Sequence, residues 1–500
     1  MLTSPFGRSK TFFSDIARQV PACEREYEPW DRSLTARNPV CYSAAGSSPI
    51  AFTNDFMTFS PLKLLANVRP VTLIAAVIVL KAIVFFVFVP ALEGRLSSLY
   101  GISFADNYQL LGENMAEGNG YRFTYETALT LMREPGYPVF LSALFAAFGF
   151  SLTAARAANL VFSFISALLV SQIAGKVSPL PAPQRIAPLL FMVHPGVFIT
   201  EMRGGVEGLF VMLLLCFIVA TYKALESKRL LDYLLAGVVL GIASNVRSTA
   251  LLFPPFLLVY FFFWERARPT LVTMATRVTI MVAGSVLALS PWIIRNYELV
   301  HKFAPTASVA GVSAHAGYYI CTHLSFDNQL EKVDSDAATE RARMATERGA
   351  KFRDVSGLYY LYFYDVRDEL AFNGWLGGWV AQQYLKTPTL LFQCAAKNAF
   401  NFWFAGKSWT STALNAAGQL PYMIFALAGL YFGLRSGRPG PTGVLMLFII
   451  YTLGIYLPIL AQARYSIHLI PILSLLASVS LSRIGQARPT EPVTPSVAAS

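Results

Sequence analysis

The chain has 500 residues, 55% hydrophobic and 14% charged, with a mean hydropathy of +0.49 and a formal net charge of +11. Its apolar residues are grouped in blocks too long for the core of a water-soluble domain, so it reads as an all-α polytopic membrane protein. Lys and Arg sit in short clusters beside those blocks, which makes the basicity a topology signal and excludes a nucleic-acid footprint.

Residues 1–56 are polar, rich in Ser, Pro and Arg, and lack the apolar stretch of a signal peptide. They read as a disordered tail, or as an over-long start with Met57 as the alternative beginning. Spanning helices are then predicted over Pro70–Leu92, Leu152–Ala174, Ile186–Ile199, Glu207–Leu225, Leu230–Asn245, Thr249–Trp264, Val278–Ile294, Gln419–Leu434, Thr442–Leu460 and Tyr465–Leu481.

Two further apolar stretches, Tyr137–Phe150 and Pro388–Ala405, decide the orientation of everything between them. If neither spans, an N-in start puts Lys176 with Arg185, Glu226–Arg229, Glu265–Pro269, Arg435–Arg438 and Arg483 all on the cytoplasmic side. The first has 14 residues, about 21 Å of helix against an apolar core of about 30 Å. The second carries Lys397, Asn398 and Asn401 among aromatics. Both therefore read as interfacial helices along the outer leaflet.

Two large outer segments result. Glu93–Ser151 holds six acids against three bases, and Arg295–Thr387 eleven against ten. Within the first, Tyr108, Leu111 and Met115 share one face of an expected surface-lying amphipathic helix with Asp106 at its start. Asp106, Arg133, Glu134, His194, Glu201, Arg203, Glu207, Arg247, Arg295 and Arg464 then all fall on one side of the membrane. Singly they serve as caps, ion pairs or headgroup anchors. Together they describe an outward-facing site in which arginine forks suit a lipid-linked phosphate. Lys81, inside the first span, is expected to face the bundle.

Asp334-Ser335-Asp336 has the form of a metal-holding DxD motif, but precedes a charged helical run and is expected to cap it. Walker A, GxSxG, HExxH and CxxC patterns are missing from the sequence. The five cysteines show no metal spacing. Cys321 and Cys394 can pair if both lie in an oxidising compartment.

Taken in order, the Asp-bearing first loop, "REPGYPVFL", "HPGVFITEMRGGVEGLF", "SPWIIRNY" and "ARYSIHLIPIL" resemble the membrane glycosyltransferases of family 39. That family includes the protein O-mannosyltransferases and the lipid A aminoarabinose transferase, all of the GT-C fold. The resemblance runs from about Pro70 to Leu481 and is strongest in the first seven helices. It implies a bundle of about 10–12 transmembrane helices that transfers a sugar from a polyprenyl-phosphate donor to an extracytoplasmic acceptor, whether lipid, glycan or protein. The setting it implies is a cell membrane, the bacterial inner membrane, within the cell envelope.

By the same resemblance Asp106 is the catalytic base and Glu134 a second carboxylate. Arg133, Glu207, Arg247, Arg295, Arg464 and Tyr465 would bind donor phosphate or substrate. Many relatives have Asp-Glu where this chain has Asp106-Asn107, so Asp106 would act alone or with Glu134. The partners implied are the lipid-linked donor, the acceptor and membrane lipids, with no nucleic acid. No cofactor or metal ligand set is identified, and a divalent metal stays open.

The domain plan that follows is a cytoplasmic tail over 1–69, a transmembrane module over 70–294 that includes the outer loop 93–151, and an outer segment over 295–418 with an interfacial helix at 388–405. Helices over 419–482 and a tail over 483–500 complete it. The competing reading is a transporter or flippase of polyprenyl-linked lipids. Such a protein is expected to show inverted repeats and charged midplane helices with Gly/Pro breaks in matching positions of the two halves; no such symmetry is visible in the sequence, and the charges collect on one face.

Overall fold

Hydropathy blocks set the helices of the computed structural model, which describes residues 68–91, 107–265, 269–324, 330–353, 361–436 and 439–484, all within the unit Ser60–Ser500. In chain order the first helices are α1 (Pro70–Ile83), continued by a π-helical turn, then α2 (Tyr108–Ala116), α3 (Gly136–Phe148), α4 (Leu152–Val177), α5 (Pro183–Val193), α6 (Pro195–Met202), α7 (Glu207–Ser227), α8 (Leu230–Val246), α9 (Leu257–Phe263) and α10 (Leu271–Val300). They are followed by α11 (Ala310–His323), α12 (Leu330–Glu347), a small hairpin of β1 (Phe352–Arg353) and β2 (Tyr362–Phe363), and α13 (Val366–Lys386). Last come α14 (Pro388–Phe404), α15 (Trp409–Leu434), α16 (Pro439–Ile459) and α17 (Ile470–Ile484).

Among the described residues seven helices are long and apolar enough to cross a membrane: Pro70–Ala91, Leu152–Val177, Glu207–Ser227, Leu271–Val300, Trp409–Leu434, Pro439–Ile459 and Ala463–Ile484. They coincide with seven of the ten predicted spans. The other three are short or broken, for identifiable reasons. Pro195 cannot donate a backbone hydrogen bond, and the chain breaks at His194 into α5 and α6. Pro254 and Pro255 likewise reduce the stretch after Ser248 to two 3₁₀ turns and the seven-residue α9. Helix α8 has 17 residues.

One large buried cluster joins α1 and α3–α8 to α16 and α17 and forms the interior of the bundle. A second, built from Leu111, Tyr121, Phe123, Met132, Val312, Tyr362, Phe363, Phe372 and Leu376, lies beneath the segments treated above as two separate loops. They fold together. Phe123 stacks on Tyr362 at 4.5 Å, Asn107 donates to the Tyr362 hydroxyl at 2.9 Å, and the Ser308 N–H donates to the Leu131 carbonyl at 2.7 Å. The product is one cap on one end of the bundle.

Three local expectations are altered. Helix α2 packs against α3 and buries Tyr108 and Leu111 in protein, so it is not a surface-lying helix. Asp334–Asp336 lies inside α12, which begins at Leu330, so the triplet does not cap that helix. In α14 the polar residues face protein: Asn398 donates to the Leu457 carbonyl at 2.8 Å and Lys397 to the Cys321 carbonyl at 2.7 Å, leaving Phe392 and Phe400 outermost. Cys321 and Cys394 form a disulfide that staples α11 to α14.

Candidate functional site

The segment Leu131–Phe140 turns from the cap into the bundle. Pro135 and Pro138 fix the backbone as α3 begins, and Gly136 lets that turn press on the end of α8. A Cβ at Gly136 would stand 2.8 Å from the Asn245 carbonyl oxygen and 2.8 Å from Val246, so any side chain there would push the two elements apart. This close approach places Glu134 beside Ser248. Its carboxylate accepts from the Ser248 hydroxyl at 2.7 Å and from the Ser248 N–H at 3.2 Å. Among the described residues no ion pair joins Glu134 to its neighbour Arg133, whose guanidinium lies 4.6 Å over the ring of Tyr108.

The neighbouring carboxylate opens α7. Glu207 is buried, favourably placed at a helix N-terminus, and approaches Arg247 to 3.5 Å. Arg247 follows the last residue of α8 and lies 5.3 Å over the ring of Tyr465. Arg464 bends back onto that ring, donating to the Tyr465 hydroxyl at 3.3 Å, and Tyr456 stacks beneath it at 5.0 Å. Residues far apart in sequence thus share one aromatic-floored cluster at one end of the bundle.

Arg295 is placed differently. It donates to the Thr130 carbonyl at 3.0 Å and rests on Trp292 at 4.4 Å and Tyr121 at 5.2 Å, so it holds the cap segment that leads into Arg133 and Glu134. Tyr121 completes that support, donating to the carbonyls of Arg133 and Glu134 at 3.0 and 3.1 Å. Burial, followed by the proximity of Tyr108 and the Glu134 carboxylate, pushes the phenol well above its ordinary value and keeps it a donor. Glu369 of α13 accepts from the Thr130 hydroxyl at 2.6 Å, the Leu131 N–H at 2.9 Å and the Ser308 hydroxyl at 2.9 Å.

Of the residues singled out from sequence, Glu207, Arg247, Arg464 and Tyr465 are joined by direct contacts, Glu134 is bonded to Ser248, the neighbour of Arg247, Arg133 lies over Tyr108, and Arg295 holds the segment that leads into Arg133 and Glu134. Asp106 lies outside the described residues. His194 caps α6, its Nδ1 accepting the Gly196 N–H at 3.1 Å, and its ring meets Tyr422 edge-on. Ser248, Tyr121, Tyr456 and Glu369 were not singled out, and Tyr108 only as part of a helix face. The first follows Arg247 directly and could have been flagged by adjacency, whereas the tyrosines resemble any interfacial aromatic until the fold is known. Among the described residues no group of three or more His, Cys, Asp or Glu is placed to hold a metal ion.

Residues 133–294 match the family profile described as dolichyl-phosphate-mannose-protein mannosyltransferase. The match begins at Arg133 itself and covers the segment that supplies Glu134, Glu207, Arg247 and Ser248. No curated protein sequence matches the chain. Among solved structures the chain is similar to the oligosaccharyltransferase of Archaeoglobus fulgidus in its apo form, with a TM-score of 0.50 at 13% identity over 84% of this chain and 51% of that one. The chain thus spans about half the length of that enzyme. A structure of ArnT from Cupriavidus metallidurans bound to undecaprenyl phosphate aligns with a TM-score of 0.35 at 12% identity, over 83% of this chain and 78% of that one. The fold is that of the GT-C polytopic membrane glycosyltransferases, as the resemblance implied.

Proposed function

We propose that the protein is a membrane glycosyltransferase that moves a sugar from a polyprenyl-phosphate donor to an acceptor on the extracytoplasmic side of the membrane. The observation that carries this reading is the convergence of two buried carboxylates, Glu134 and Glu207, with Arg133, Arg247 and Arg464 at one end of an apolar bundle. Burying such groups is costly unless they are used or mutually compensated. The matched family profile adds the donor class, since its description names a lipid-phosphate sugar. The Cys321–Cys394 disulfide ties α11, whose Val312 packs in the cap, to α14, which suits an oxidising compartment, and the basic loops suit the opposite face.

In this reading the acceptor nucleophile attacks the anomeric carbon as the bond to the donor phosphate oxygen breaks, and the lipid phosphate departs with the electron pair. A single displacement inverts the anomeric centre. Arg247 and Arg464, backed by Tyr465, stabilise the phosphate charge that develops on departure. The acceptor's proton passes to Asp106, a role assigned through the family resemblance. Glu134, held by Ser248, is the second carboxylate near the reacting groups.

The test is transfer by the purified chain in lipid nanodiscs supplied with a polyprenyl-phosphate sugar. Transfer is expected, and Asp106→Asn should lower turnover by about 10²- to 10⁴-fold. Near-normal turnover in that variant would remove the base assignment. Movement of the lipid across the bilayer without sugar transfer would favour the flippase reading.

A further inference from the structure

Several ionisable side chains buried in the bundle have no place in the chemistry just described. Lys81, in the last turn of α1 and midway along the span Pro70–Ala91, is 4% exposed and donates to Glu201 at 2.6 Å and to the Ser163 hydroxyl at 3.3 Å. Glu201 is itself 3% exposed. Arg156 of α4, also buried, donates through Nε to the Met202 carbonyl at 2.7 Å. Tyr137 of α3 donates to the Gly204 carbonyl. Three donors from three separate helices therefore land on residues 201, 202 and 204.

Those residues form the last turn of α6 and the short link into α7. The link is tightly wound: the Gly204 N–H donates to the Glu201 carbonyl at 3.1 Å and the Gly205 N–H to the Thr200 carbonyl at 2.9 Å. Gly204 has φ +59°, a left-handed conformation that favours glycine. The Glu207 carboxylate folds back over the link, and a Cβ at Gly205 would stand 2.6 Å from its Oε2. Glu201 and Glu207 also line one small cavity with Ser163, Ser166 and Thr200. The position of Glu207, and through it that of Arg247, depends on how this link is held.

A buried ion pair is a poor source of stability compared with apolar packing of equal volume, because both charges must leave water. A Lys–Glu pair between apolar helices therefore points to geometry as its role. We propose that Lys81 and Glu201, with Arg156, are positioning residues that clamp the link 202–206 and so hold the Glu207–Arg247 pair at the orientation the donor phosphate needs. The proposal rests on the preceding functional reading for its kinetic consequence, but not for its structural one.

The experiment compares wild type, Lys81→Met, Lys81→Arg and the double variant Lys81→Met with Glu201→Gln, all in nanodiscs. Each is read for kcat and KM with a polyprenyl-phosphate sugar, and for hydrogen–deuterium exchange at the Arg203, Gly204 and Gly205 amides. Lys81→Met is expected to raise the donor KM and lower kcat/KM by about 10- to 100-fold, the cost of a displacement near 1 Å. Exchange at the three amides should rise, and Lys81→Arg should restore most of both. The double variant leaves no uncompensated charge and keeps the proposal testable if Lys81→Met does not fold; it too should show faster exchange and a raised KM. Wild-type exchange and KM in the double variant would overturn the proposal, as would a loss confined to kcat that tracks folding yield and is not restored by arginine. If the wild-type protein transfers no sugar, the functional reading falls. The exchange data then decide alone: faster exchange at the three amides in the variants upholds the clamp, and unchanged exchange removes it.

Discussion

Glu369 is the joint between the cap and the site, and its replacement gives a graded prediction. The carboxyl is 3% exposed and accepts three hydrogen bonds, two of them from the Thr130–Leu131 segment that leads into Arg133 and Glu134. In Glu369→Ala three buried donors lose their acceptor; at about 1–3 kcal/mol each, partly offset by relief of the carboxylate's own desolvation, the cost is about 3–5 kcal/mol. Glu369→Gln keeps the shape and one acceptor oxygen and carries no charge, so its cost is within about 1 kcal/mol at neutral pH. Burial raises the pKa of Glu369 above its ordinary value. A raised folded-state pKa means that the group's contribution is full below the ordinary carboxylate range and declines as pH rises through the folded value. The stability gap between wild type and Glu369→Gln should therefore narrow from acidic to neutral pH. Melting followed by tryptophan fluorescence reports on the cap through Trp292, Trp375 and Trp379. Equal melting temperatures for the Ala and Gln variants, or a gap that widens with pH, would refute the reasoning.

Three other outcomes are expected. Ser248→Ala removes a charge-assisted bond to Glu134 of 2.7 Å; a loss of about 1.5 kcal/mol corresponds to roughly tenfold slower transfer in single-turnover kinetics. Cys321 and Cys394 are 73 residues apart, so reduction of their disulfide, or Cys394→Ser, should cost up to about 4 kcal/mol in the chain-entropy account, read as a lower melting temperature under reductant that the Ser variant no longer shows. Burial, reinforced by Arg341, holds His315 down to about 4, so its contribution is complete above about pH 6.5 and lost as pH falls towards 4; in His315→Gln this acid-labile component of the melting temperature should be missing.

The membrane class, the seven long spans and the candidate charges were legible in the sequence because each is written in consecutive residues. An apolar block about 20 residues long spans a bilayer whatever surrounds it, and a Pro-Gly-Tyr-Pro turn after Arg133-Glu134 marks a chain reversal beside charge. Where prolines interrupt a block, as at Pro195 and Pro254-Pro255, the break was local but its consequence for span length was not. Apart from the Cys321–Cys394 disulfide, side-chain pairing was not legible. Glu134 finds Ser248 at a separation of 114 residues, Lys81 finds Glu201 at 120, and Glu369 finds Thr130 at 239. Hydropathy and charge patterns say which residues must leave water, while only the packed helices decide which of them meet. That is why the Ser248 contact of Glu134 could not be read from the sequence, and why Lys81 could be placed inside the bundle before its partner was visible.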